Sequence, residues 1–167
     1  MFKYVLFLLL LLPGLVKAQI NVPHTLYQQF NGPFDYTIIG KSHNTFDNPN
    51  FNALPCVMLT NSSATLNLAT NQTIVGAYII WSGVSNGNGT TITLNGNNLI
   101  PDNVNVININ PSTITPVFFF SAIKDVTTLV QTTGNGLYQV SNFDLNPYSL
   151  NYCGNTMNYA GWNLIIV

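Results

Sequence analysis

Gly83-Val-Ser85-Asn-Gly87 matches the G-x-S-x-G letters of a nucleophile elbow. In that motif a strained strand-to-helix turn exposes a serine, and an acid and then a histidine follow along the chain. The surroundings do not fit. The next segment, TTITLNG, reads as a strand, and both histidines, His24 and His43, precede Ser85. A glycine-rich hairpin loop accounts for the same letters. Asp47, Asn48, Asn50 and Asn52 bring four side-chain oxygens into one short stretch, a weak calcium candidate. The central Gly and terminal Glu of a calcium-binding hand are missing, so an Asx-turn loop is the default. Two histidines and two distant cysteines lack zinc spacing. The five aspartates are scattered and give no obvious acid/base pair for glycoside hydrolysis. Asp125 precedes VTTLV and reads as a structural cap for a helical turn. Neither a catalytic set nor a cofactor is expected.

The surroundings of these residues argue for strands. The chain has 167 residues, enough for one domain, and is 47% hydrophobic. Only 5% is charged, roughly a fifth of the usual share, and there is no Glu and no Arg. Thr, Val, Ile and aromatic residues favour strands, and Asn, Gly and Pro favour turns, so the composition points to an all-β chain. Without Arg or a basic cluster there is no means of gripping phosphates, which excludes nucleic acid as an expected partner.

MFKYVLFLLLLLPGLVKA has the layout of a cleavable secretory signal: Lys3, an apolar run, a Pro13-Gly14 break and small residues up to Ala18. The run is too short for a membrane span, so none is expected after cleavage. Cleavage leaves two lysines, Lys41 and Lys124, against five aspartates, a net charge of −3. In an oxidising compartment Cys56 and Cys153 are the one available intramolecular pair. A loop that long would contribute roughly 4 to 5 kcal/mol in the chain-entropy model. Two free buried thiols are the alternative. Asn61, Asn71 and Asn88 fit the N-glycosylation pattern, which matters only in a eukaryotic source.

Along the chain, residues 19–33 form an aperiodic lead-in, and residues 34–167 carry eight or nine short strand signals separated by turns. DYTIIG, CVMLT and SATLNLA read as strands, the last with Ala64, Leu66 and Leu68 inward. AYIIWSG is apolar on both faces, as in a central covered strand. Gly83 to Asn88 read as a turn, and Asn95-Gly96 is the strongest hairpin signal. In NVNVININ the apolar phase slips between Val106 and Ile107, which predicts a bulge or a change of sheet. DVTTLVQ is the one helical turn, with Val126, Leu129 and Val130 on one side, and NFDLNPYSLNYCGNT reads as a long loop. The pattern is that of an all-β sandwich, jelly-roll-like. YAGWNLIIV ends the chain at Val167; as a final edge strand it would be sticky, so a missing partner segment is expected, the alternative being a central place as the last strand of a closed sandwich.

Taken in order, AYIIWSG, KDVTTLV with GNGLYQV, and YAGWNLIIV resemble an N-terminal β-sandwich module of large secreted Bacteroidetes surface proteins. Those proteins are adhesin-like and end in a gliding-motility-associated C-terminal sorting domain. The likeness runs from about Asp35 onward and brings no catalytic residues. It implies an outer-surface or extracellular location and a role in attachment or scaffolding. The partners it implies are other surface proteins and further domains of a longer parent chain, with this chain as a truncated fragment. Glycans, bound through aromatics and Asn of the long loops, are a further expected partner. The alternative is a carbohydrate-binding appendage or remnant of a secreted hydrolase.

Exported protein is expected to begin at Gln19 and to present no reactive thiol when unfolded without reductant. Intact mass and thiol titration read both at once. A retained leader or two titratable thiols would contradict the reading.

Overall fold

A strand that is apolar on both faces is stable only where both faces are covered. In the computed structural model such a strand is the centre of the larger of two sheets. The structure describes residues 25–45, 57–86, 88–108, 118–149 and 158–167. The chain divides into two units, Met1–Pro33 and Phe34–Val167. In the first, residues 25–33 have no regular secondary structure.

The second unit contains nine strands and two short helices among its described residues. The strands are β1 (Thr37–Ser42), β2 (Ser62–Leu66), β3 (Ala77–Ser85), β4 (Ile92–Leu94), β5 (Asn97–Leu99), β6 (Asn103–Asn108), β7 (Phe118–Asp125), β8 (Gly136–Ser141) and β9 (Ala160–Ile166). The helices are α1 (Thr127–Thr133), between β7 and β8, and α2 (Asn146–Ser149), between β8 and β9. One sheet has the order β1-β9-β3-β7-β6, the other β2-β8-β4-β5, and every pairing is antiparallel. Their inner faces share one core, a β-sandwich. No described helix is long and apolar enough to cross a membrane.

Local sequence explains most of this. Ala77, Ile79 and Trp81 are fully buried on the inner face of β3. Asn95 and Gly96 take φ of 47° and 82°, the turn that joins β4 to β5. Asn95 is also clipped to β8, accepting from the Gln139 N–H at 2.8 Å through its side chain. Val126 and Val130 are buried, and Leu129 packs against the same core.

Several expectations change. Gly83 is a strand residue, since β3 runs through to Ser85. A Cβ there would lie 2.3 Å from Leu145 Cδ1, so glycine serves close packing and not a turn. β6 has no bulge: its register with β7 is unbroken from Asn103↔Ile123 to Asn108↔Phe118. As an edge strand with half-exposed faces, it need not keep strict alternation. The loop after β8 is part of the core, for Phe143 and Leu145 are buried there. Of CVMLT, the described residues form only an isolated bridge, Asn44↔Met58.

β9 is paired on both sides, to β1 and to β3. Val167 continues the pairing through its N–H to the Gly76 carbonyl at 2.8 Å. β9 thus takes the central place, the alternative to a sticky edge. Leu164, fully buried in the middle of β9, should tolerate truncation poorly: Leu164→Ala is expected to cost about 2 to 5 kcal/mol in urea unfolding. Leu137→Ala, at a side chain 59% exposed, should stay within about 0.5 kcal/mol of the parent.

Candidate functional site

The two tryptophans lie opposite each other, Trp81 on β3 against Trp162 on β9, and both point into the core. A buried indole N–H needs an acceptor. Trp81 Nε1 donates to the Thr90 carbonyl at 2.8 Å, and Trp162 Nε1 donates to Ser62 Oγ at 2.8 Å. Ser62 Oγ is in turn 2.7 Å from His43 Nε2, and His43 Nδ1 is 2.7 Å from the Leu59 carbonyl. These partners fix the tautomer. Nδ1 carries the proton and donates to Leu59, leaving Nε2 to accept from the Ser62 hydroxyl. Burial pushes the His43 pKa below its ordinary value, and the Leu59 hydrogen bond offsets this in part. Phe143 packs edge-on to the imidazole with ring centres 5.0 Å apart.

A serine hydroxyl at this distance from an imidazole has the spacing of a nucleophile and its base. Its surroundings give it another task. His43 and Trp162 are buried, Ser62 is 9% exposed, and the serine oxygen already accepts the indole proton. The chain of hydrogen bonds runs from β9 in one sheet to β2 in the other, so it ties the sheets together.

A second constellation lies on the outer face of the five-stranded sheet. Ser42, Gly161, Ser82, Ser121 and Asn105 stand in register, one from each strand. Small side chains in one row leave a depression. At its β1–β9–β3 end it is an open trough of about 400 Å³, lined by Gly40, Ser42, Ser82, Gly161 and Asn163 with Tyr159 beside them. The Tyr159 and Phe119 rings stack with centres 5.8 Å apart, and both pack against the buried Val84. The trough thus offers hydroxyls, an amide and exposed backbone next to a half-buried aromatic pair. Lys41 is the single charged residue in its lining.

The residues singled out in the sequence are not drawn together. Asp47, Asn48, Asn50, Asn52, Cys56, Cys153 and His24 lie outside the described residues. Among the described residues no group of three or more His, Cys, Asp or Glu could hold a metal. Ser85 is buried at the end of β3, opposite Phe118. Asp125 Oδ1 accepts the Thr127 N–H at 2.8 Å, capping from one residue ahead of Val126, which occupies the N-cap place of α1. Its own N–H donates to Asp102 Oδ2 at 2.9 Å. Asn61, Asn71 and Asn88 are exposed. The trough escaped the sequence reading because it is assembled from bland residues of three strands far apart in the sequence. Searches of family models, curated proteins and solved structures find no match to this chain.

Ser62→Ala removes an acceptor from Trp162 and a donor from His43 together, whereas Trp162→Phe removes one donor. Each orphaned buried group costs about 1 to 3 kcal/mol. Ser62→Ala is expected to lower unfolding stability by more than a single orphan, and the Ser62→Ala/His43→Phe pair by less than the sum of its parts. Additive costs in urea titrations would contradict the linkage.

Proposed function

We propose that residues 34–167 form an exported, non-enzymatic binding module of an adhesin-like surface or secreted protein, acting in attachment or scaffolding. The trough on the five-stranded sheet is its recognition surface, and neutral glycans are its ligand class. One observation carries this reading: a row of small polar residues crosses the sheet in register beside the stacked Tyr159 and Phe119. Sugars present an apolar C–H face and a rim of hydroxyls. An aromatic ring takes the first, while Ser42, Ser82 and Asn163 can donate to and accept from the second. With Lys41 the only charge in the lining, there is little to recommend an ionic ligand.

The order of AYIIWSG, KDVTTLV and YAGWNLIIV supports the adhesin-like parentage, and the leader-like first 18 residues support export. The alternative, an appendage of a secreted hydrolase, would use the same trough to hold the enzyme on its substrate. The two differ in the rest of the parent chain.

Protein spanning residues 19–167 is expected to be retained on a glycan array without releasing reducing sugar. Tyr159→Ala should weaken that retention at least tenfold, and Ser82→Leu, which fills the trough floor, should abolish it. Thermal melts of both variants report whether the sandwich is intact. No retention of the parent protein, or retention unchanged by both substitutions, would sink the glycan reading.

A further inference from the structure

The imidazole of His43 is placed where adding a proton reverses the connection it makes and orphans the Ser62 hydroxyl proton. Neutral, it accepts from the Ser62 hydroxyl, and that hydroxyl accepts from Trp162. Charged, it presents an N–H at both ring nitrogens. The Ser62 proton then loses its acceptor, and the serine oxygen faces two donors. The charge itself sits in a buried site.

Nothing nearby among the described residues neutralises it. The elements against His43 are β2 through Ser62, β9 through the Ala160 carbonyl that accepts the His43 N–H, residues 57–60 through Leu59, and the stretch after β8 through Phe143. β2, β9 and residues 57–60 carry no charged side chain. The titratable groups adjoining them are Lys41 on β1, Asp144 next to Phe143, and Tyr159 just ahead of β9. Lys41 and Asp144 are exposed, and the perturbation of His43 has burial and the Leu59 carbonyl as its causes, with no charge among them.

The location decides what would give way. β1 and β2 are edge strands, each with one strand partner, β9 and β8 respectively. Residues 43–45 and 57–62 are stitched across this side by Leu59 N–H to the His43 carbonyl at 2.8 Å and Thr45 Oγ1 to the Val57 carbonyl at 2.8 Å. Edges with few partners open more easily than central strands.

We propose that His43, Ser62 and Trp162 form an acid-released latch: protonation of His43 parts the β1–β2 side of the sandwich while β3, β7 and β9 stay folded. The closed form resists the proton, whereas the opened form accepts it at an ordinary histidine pKa of about 6.5. Closure is therefore fully favoured above that value and weakens as pH falls through it. Gly40 and Ser42 of the trough sit on β1, so acidification is expected to disturb that end of the trough as well.

The test is hydrogen exchange on the chain carrying His24→Ala, in which His43 is the sole imidazole. Protection factors for residues 41–44 and 57–62 are expected to fall at least tenfold between pH 7 and pH 5, with those of β3 and β7 unchanged. The imidazole proton shift should move over the same interval. A further His43→Gln exchange, which keeps an acceptor for Ser62 but cannot be protonated, should hold protection constant. The latch is overturned by protection that does not change with pH, by loss spread evenly over both sheets, or by the same loss in the His43→Gln protein. Should that variant fail to fold, an imidazole titration that does not coincide with the loss of protection overturns it equally.

Discussion

Two tryptophans stand on paired positions of β3 and β9 in the core, and the one polar atom of each must be satisfied there. Trp81 reaches the Thr90 carbonyl ahead of β4, and Trp162 reaches Ser62 on β2. The apolar bulk of the pair excludes water, and that exclusion makes the two indole hydrogen bonds necessary. Packing alone would permit the sheets to slide; two directional bonds at fixed positions do not. The Trp162 bond joins β9 of the five-stranded sheet to β2 of the four-stranded one, and the Trp81 bond holds the chain entering β4.

The same pair shapes the opposite face. Side chains alternate along a strand, so the neighbours of Trp81 and Trp162, Ser82 and Gly161, must point outward. Large residues inside thus come with small ones outside at this level of the sheet. β1 then approaches β9 closely: a Cβ on Gly40 would lie 2.3 Å from the Trp162 carbonyl oxygen. Glycine is required there by contact with backbone, which cannot move aside as a side chain might. Trough and core are two sides of one arrangement, so substitutions in the trough must be judged by their effect on the strands beneath.

How much of this can be read from letters depends on distance along the chain. The covered central strand, the Asn95-Gly96 turn and the apolar side of α1 are encoded within a few residues, and each is where pattern places it. The fate of YAGWNLIIV is not local. Its partners on β1 lie more than a hundred positions away in sequence and those on β3 more than seventy, and no periodicity encodes a partner. Phe143 and Leu145 look like loop residues because their neighbours are Asn, Asp and Pro, yet they close one region of the core. His43 stands in a turn-rich stretch, its partner Ser62 is 19 residues away, and Trp162, which bonds to Ser62, is a further 100 residues on. Neither the latch nor the trough has a linear signature.

The scarcity of charge links these features. With no Glu or Arg and five Asp, the chain keeps its surface wet with Asn, Thr and Ser, and these serve equally as turn formers, strand edges and hydrogen-bonding floor. The exposed pair Lys124 and Asp102 ties the start of β6 to β7, and such a pair adds little to stability. A protein built this way has few long-range fields, so salt should matter little to its fold. Protonation of one buried imidazole then stands out, because few ionic interactions elsewhere change over the same range. Sparse charge makes the surface bland and the interior sensitive, and both follow from one compositional choice.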